Sequence, residues 1–252
     1  MTRQWPSTSR AEDAAVLALA DLTRAAAGSQ YRVIGGNMTT FHAARRQSRI
    51  APRSTADADA GIESSAVAAT DLTEALVAVG YARVDGSRFI RHDGELDLII
   101  DLLVPDVHAE EHNIEVGPLS ADAAPGLTLA LSRPPLWVEY SVLLTSGQAV
   151  DLTLPLPDGS AAVVMKVLAW RQRMADKDAL DTFRLLDTWA QDVAAGDVLH
   201  PLRAGVTVMR AVDVLQRYFV PPRGKATLLP KPFQTAGRQA AAQFISWVGV
   251  SG

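Results

Sequence analysis

The chain has 252 residues, enough for one large domain or two small ones, and its 48% hydrophobic and 21% charged content is ordinary for a globular protein. It contains no cysteine, which excludes a disulfide scaffold, thiol catalysis and thiolate metal sites, and leaves metal binding to carboxylates or the five histidines. The net charge of −4 gives no global attraction to nucleic acid, so an RNA partner would need a local basic patch.

Met1 to Arg10 is polar and reads as a frayed end. Ala11 to Ala27 carries Val16, Leu17, Leu19, Ala20 and Leu22 at helical spacing, and Gly28 ends that helix. Tyr31 to Ile34 is a short strand that enters Gly35-Gly36, where glycine allows positive φ and close approach of the backbone to a ligand. Asn37 can cap a helix running from about Met38 to Arg46, and the N–H groups at its start would form a seat for phosphate. A plain strand-to-helix turn is the bland reading of the same glycines. Arg45, Arg46, Arg49 and Arg53 then crowd an insert that is either a solvated loop or a surface for a triphosphate or RNA backbone. His42, on the helix, reads as structural.

Asp57 and Asp59 follow. If Thr55 to Ala60 is extended, alternation puts both aspartates on one face, one pleat apart. Two like charges that close are unfavourable without a cation between them, and magnesium, which is hard and prefers oxygen, suits the pair. A small-residue stretch follows Ile62, and Asp71 to Val79 reads as a helix closed by Gly80. Tyr81 to Val84 and Arg88 to His92 are strands around an Asp-Gly turn, and Asp93-Gly94 is a second hairpin signal. Leu96 to Pro105 is the most strand-like run of the chain. Its aliphatic residues belong in a core, so Asp97 and Asp101 need an explanation, since buried carboxylates are costly unless paired or metal-bound. The two share parity and can face the same side.

Val107 to Gly126 reads as a loop, and Leu127 to Leu131, Leu136 to Leu144 and Ala149 to Leu154 as strands. A soft boundary at Pro157 separates residues 1–157 from 158–252. Beyond it the pattern is helical: Asp158 or Ser160 can cap a helix on which Lys166, Trp170, Arg173 and Lys177 share one edge. Asp181 to Ala194, Ala204 to Phe219 and Gln234 to Val248 are further helices, with a loop from Pro221 to Pro232. The class is therefore α+β: an N-terminal mixed β-sheet core flanked by helices, then a C-terminal helical region. No apolar run is long enough to span a bilayer and no signal-peptide pattern opens the chain, so the expectation is a cytoplasmic protein.

A glycine pair after a strand, followed by Asp-x-Asp on the next strand, resembles the nucleotidyltransferase superfamily of DNA polymerase β. Within it the chain most resembles the abortive-infection (AbiEii) type nucleotidyltransferases, toxins of bacterial toxin–antitoxin pairs. The gap between glycines and aspartates is longer than is usual there, and Gly-Gly-Asn stands in place of the common Gly-Ser. The second match is Lys166 to Arg173 followed by Lys177-Asp178-Ala179-Leu180-Asp181, since the family carries a lysine on such a helix and a Lys-Asp-x-x-Asp-like segment after it.

The resemblance implies transfer of a nucleoside monophosphate from a nucleoside triphosphate to an acceptor hydroxyl. It implies a two-ion Mg2+ site, with Mn2+ as a possible substitute, held by Asp57, Asp59 and a third carboxylate on the adjacent strand. That third group is Asp101, with Asp97 as the alternate. Lys166 would act at the triphosphate, and Gly35, Gly36, Asn37, Thr55, Arg173 and Asp178 would complete the nucleotide site, with Asp181 helping Asp178 to organise the basic residues. The implied partners are a tRNA 3′ end as acceptor and a cognate antitoxin, with no membrane. The alternatives are transfer to a protein or a small molecule such as an antibiotic, and an inactive relative that only binds a nucleotide or a partner protein.

Overall fold

The computed structural model describes residues 3–51, 53–64, 71–106, 113–116, 119–198 and 200–251. Its contacts divide the chain into two compact units, Met1–Met38 with Arg53–Pro157, and Thr39–Pro52 with Asp158–Gly252. The class is the α+β arrangement read from the sequence, with a C-terminal helical region.

The first unit opens with strand β1 (Arg3–Pro6) and helix α1 (Arg10–Ala25). Ser9 caps α1 by accepting the Glu12 N–H, and Glu12 and Asp13 lie in the first turn, where the helix dipole favours acids. Ala14, Ala15, Ala18, Leu19 and Leu22 make its buried stripe. Strand β2 (Tyr31–Val33) leads into helix α2 (Gly35–Arg46), which starts in this unit and continues into the other. Next come β3 (Asp57–Ile62), α3 (Asp71–Ala78), β4 (Ala82–Asp85), β5 (Arg88–Asp93), β6 (Leu96–Pro105), β7 (Asn113–Val116), β8 (Leu119–Ala124), α4 (Leu127–Leu131), β9 (Leu136–Leu143) and β10 (Ala149–Leu156).

The larger sheet follows the path β2-β3-β6-β5-β4, and β8, paired with β7, runs beside the end of β6. In it β3 is parallel to β6 and β5 is antiparallel to β6. Strand alternation sorts the side chains of the two central strands. Ala58 and Ala60 of β3 are buried with Leu98, Ile100, Leu102 and Val104 of β6, on the face that α1 covers. The opposite parity carries Asp57, Asp59 and Asp101 on the other face. The smaller sheet has the order β1-β9-β10, with β1 parallel and β10 antiparallel to β9.

Several elements differ from the sequence expectation. Arg3–Pro6 is not frayed but pairs with β9, Arg3 opposite Tyr140. The expected loop from Val107 to Gly126 contains the antiparallel pair β7 and β8; residues 107–112 and 117–118 of it lie outside the described residues. Residues 65–70 of the small-residue stretch and residues 1–2 also lie outside them. Leu127–Leu131 is a helix rather than a strand. A five-residue apolar run carries no period that separates the two, and here Leu127 packs so closely over Gly61 that a Cβ there would meet its Cδ1 at 2.3 Å.

The second unit is built from α5 (Gly159–Arg173), α6 (Asp176–Ala194), α7 (Val206–Val214), a π-helical turn (Leu215–Phe219), a 3₁₀ turn (Lys225–Leu228) and α8 (Lys231–Ser251). The Asp158 carboxylate caps α5 by accepting the N–H groups of Ser160 and Ala161. Aromatic rings fill the core edge to face, with Trp170 on Phe219 at 5.0 Å and Trp189 on Phe244 at 4.8 Å between centroids. The basic insert belongs to this unit up to Pro52. Arg45 and Arg46 both pair with Asp192, Arg46 also with Asp197, and Arg49 with Asp187, while Arg184 donates to the Ala51 carbonyl at 2.7 Å. Those arginines fasten the insert to α6 and the residues after it. Among the described residues no helix is long and apolar enough to cross a membrane.

Candidate functional site

The acidic site is assembled by register. Asp59 of β3 lies directly opposite Asp101 of β6 in the parallel ladder, and Asp57 is one pleat back on the same face. One carboxylate oxygen from each of Asp57, Asp59 and Asp101 lies within 4.8 Å of the others. Oxygens on opposite sides of a Mg2+ or Ca2+ ion are about 4–5 Å apart, so this donor set could hold a metal ion. Asp97, the alternate third carboxylate, is elsewhere: its Oδ1 meets Nδ1 of His92 at 2.6 Å on an exposed part of the hairpin. Asp101 therefore takes the third position.

The double glycine closes one side of the site. Gly35 is the first residue of α2 and has φ +66°; a Cβ there would lie 1.7 Å from Oδ2 of Asp59. Only glycine lets the start of the helix come this near the carboxylate. A Cβ on Gly36 would meet Nη2 of Arg53 at 3.0 Å and Oγ1 of Thr55 at 3.1 Å. The Ile34 N–H donates to the Asp59 carbonyl at 3.0 Å and Nδ2 of Asn37 to the Asp57 carbonyl at 2.7 Å. Asn37 thus ties α2 to the aspartate strand, a different task from the capping read in the sequence. Thr55 donates from Oγ1 to Oδ1 of Asp57 at 2.8 Å, which fixes that carboxylate.

Arg88 is the resident the sequence reading passed over. It lies on β5 opposite Asp101 and donates from Nε and Nη2 to the two carboxylate oxygens, each at 2.7 Å. Those hydrogen bonds and the Asp101 charge, with further contributions from Asp57 and Asp59, hold the guanidinium protonated well beyond its ordinary range. A cation is thus already drawn to the triad. The signal was present: across the Asp93-Gly94 hairpin, counting back from the turn brings Arg88 to Asp101.

Lys166, Arg173, Asp178 and Asp181 gather in the second unit. Lys166 is 3% exposed, with Nζ 3.4 Å from Oδ1 of Asp178 and 3.1 Å from Oδ2 of Asp181. Arg173 forks onto Asp178 at 3.0 and 3.1 Å, and Arg184 reaches Asp181 at 2.7 Å. Burial alone would raise the Asp178 carboxyl, but the Arg173 hydrogen bonds and the Lys166 ammonium bring it below the usual carboxylate range. This is a buried network between α5 and α6 rather than the exposed intrahelical pairing that such a segment would otherwise suggest.

Compared with known proteins, the chain matches no protein-family model and no curated protein sequence.

Proposed function

We propose that the chain is a divalent-metal-dependent nucleotidyltransferase: an acceptor hydroxyl loses its proton and bonds to the α-phosphorus of a nucleoside triphosphate, the bond from the α-phosphorus to the bridging oxygen breaks, and pyrophosphate leaves. The observation that carries this reading is the in-register meeting of Asp59 with Asp101 on parallel strands, with Asp57 one pleat away and the glycine-opened start of α2 against Asp59. Three half-buried carboxylates this close repel one another, and a divalent cation among them would offset that repulsion.

Mg2+, or Mn2+ in its place, would be held by Asp57, Asp59 and Asp101, and two such ions would supply neutralisation of the charge that develops at the α-phosphate. Thr55 orients Asp57 through its hydroxyl. The N–H groups at the start of α2, around Gly35, Gly36 and Asn37, offer a positive dipole end to the phosphates. The resemblance alone would add Lys166, Arg173 and Asp178 as nucleotide contacts. Lys166 would have to exchange an aspartate for a phosphate oxygen to serve in that way.

A tRNA 3′ end as acceptor, a toxin role and a cognate antitoxin follow from the resemblance to the abortive-infection type enzymes. A second reading, transfer to a protein or small molecule, is favoured by the engagement of Arg45, Arg46 and Arg49 with aspartates and by the net charge of −4, which leave less basic surface for an RNA backbone.

The test is incubation of purified protein with Mg2+ and each α-labelled nucleoside triphosphate, offered total tRNA, protein or small-molecule acceptors. Label should move to one acceptor class, and Asp59→Asn should lower transfer about a hundredfold or more. Transfer that is undiminished in Asp59→Asn, or absent from every acceptor with Mg2+ and with Mn2+, refutes the reading.

A further inference from the structure

The Arg88–Asp101 pair is an odd feature for a site that is to take a metal. The pairing is bidentate and both oxygens of Asp101 are engaged, each at 2.7 Å. A divalent ion that takes a lone pair on Asp101 therefore meets a carboxylate already held by a guanidinium. The geometry also allows exchange. The Arg88 side chain is 49% exposed and that of Asp101 17%, so the guanidinium borders solvent while the carboxylate stays in the site. Arg88 is reached through a two-residue turn, Gly86-Ser87, and stands directly across the ladder from Asp101, so the hairpin itself delivers the cation.

We propose that Arg88 is a built-in counter-ion of the acidic triad, which holds Asp101 while no metal is bound, gives up at least one of its two hydrogen bonds to an incoming divalent cation, and so sets the metal affinity of the site. This rests on the metal site proposed above. In the metal-free protein the guanidinium offsets one of the negative charges that crowd the face and keeps the carboxylates together. On binding, the ion takes over that task. The released guanidinium stays on the rim of the site, where an anionic phosphate is its natural next partner.

The experiment is a Mn2+ titration followed by the electron paramagnetic resonance signal of the free ion, on wild-type protein, Arg88→Met, Arg88→Lys and Asp59→Asn, with thermal melts to verify folding. Arg88→Met keeps the aliphatic stem and removes the charge, and should bind Mn2+ about three- to tenfold more tightly than wild type, the range expected for a half-exposed charged pair with two hydrogen bonds. Arg88→Lys keeps the charge but not the fork and should fall between the two. Asp59→Asn should bind more weakly. Binding by Arg88→Met equal to or weaker than wild type overturns the counter-ion proposal while leaving the metal site standing, since Arg88 would then only position Asp101. Failure of both wild type and Arg88→Met to bind Mn2+ overturns the metal site and this proposal together.

Discussion

Replacing Gly35 with alanine tests the geometry on which the acidic site depends. The added Cβ would sit 1.7 Å from Oδ2, 2.6 Å from Cγ and 2.9 Å from Cβ of Asp59. At φ +66° the left-handed backbone alone costs a residue with a side chain about 1–2 kcal/mol. The overlap adds about 1–3 kcal/mol, as overpacking does elsewhere, for a total of about 2–5 kcal/mol. Part of that overlap is relieved by swinging the Asp59 carboxylate away, which opens the triad, so Mn2+ binding should weaken about tenfold or more. The contributions separate in a double-mutant cycle measured by urea denaturation. Asp59→Ala removes the two nearest atoms but keeps Cβ at 2.9 Å, so Gly35→Ala in that background should retain the backbone cost and a small part of the overlap, and the coupling should be about 1–2 kcal/mol. A cost below about 1 kcal/mol in both backgrounds, with Mn2+ binding intact, refutes the close approach of α2 to Asp59.

The buried network of the second unit makes two further predictions. Lys166→Met takes away the cation shared by Asp178 and Asp181, and should destabilise the protein by about 3 kcal/mol in urea denaturation; a loss below about 1 kcal/mol would mean the lysine is not needed to neutralise the pair. Asp178 has its native carboxyl lowered from 3.8, so its contribution is fully present above that value and is lost as pH falls through the lower native one. Asp178→Asn should therefore destabilise at neutral pH and flatten the fall in stability as the solution is acidified below the ordinary carboxylate range; an unchanged acid slope counts against the pairing.

Much of the acidic site could be read locally. Alternation of Leu98, Ile100, Leu102 and Val104 against Asp101, and of Ala58 and Ala60 against Asp57 and Asp59, follows from the pleat of each strand taken alone. The glycine pair was legible as a strand-to-helix turn, but the demand for glycine at position 35 comes from the approach of the Asp59 carboxylate. The basic insert misled because an arginine-rich segment looks the same whether it faces solvent, phosphate or a row of aspartates. Asp187 and Asp192, which claim Arg45, Arg46 and Arg49, are remote in sequence and gave no local sign. Arg88 was within reach by counting across the hairpin, but only if the register of the turn is assumed.

From the sequence alone one could determine which side of each strand an aspartate takes, because that is a property of a few consecutive residues. Only the tertiary structure decided that β3 lies beside β6 with Asp59 facing Asp101, that the start of α2 comes so near Asp59 that position 35 must be glycine, that Asp97 turns to His92, and that Arg88 holds Asp101. Strand neighbours and ion partners are chosen by register between distant segments, and a chain read in one dimension carries no distance between them.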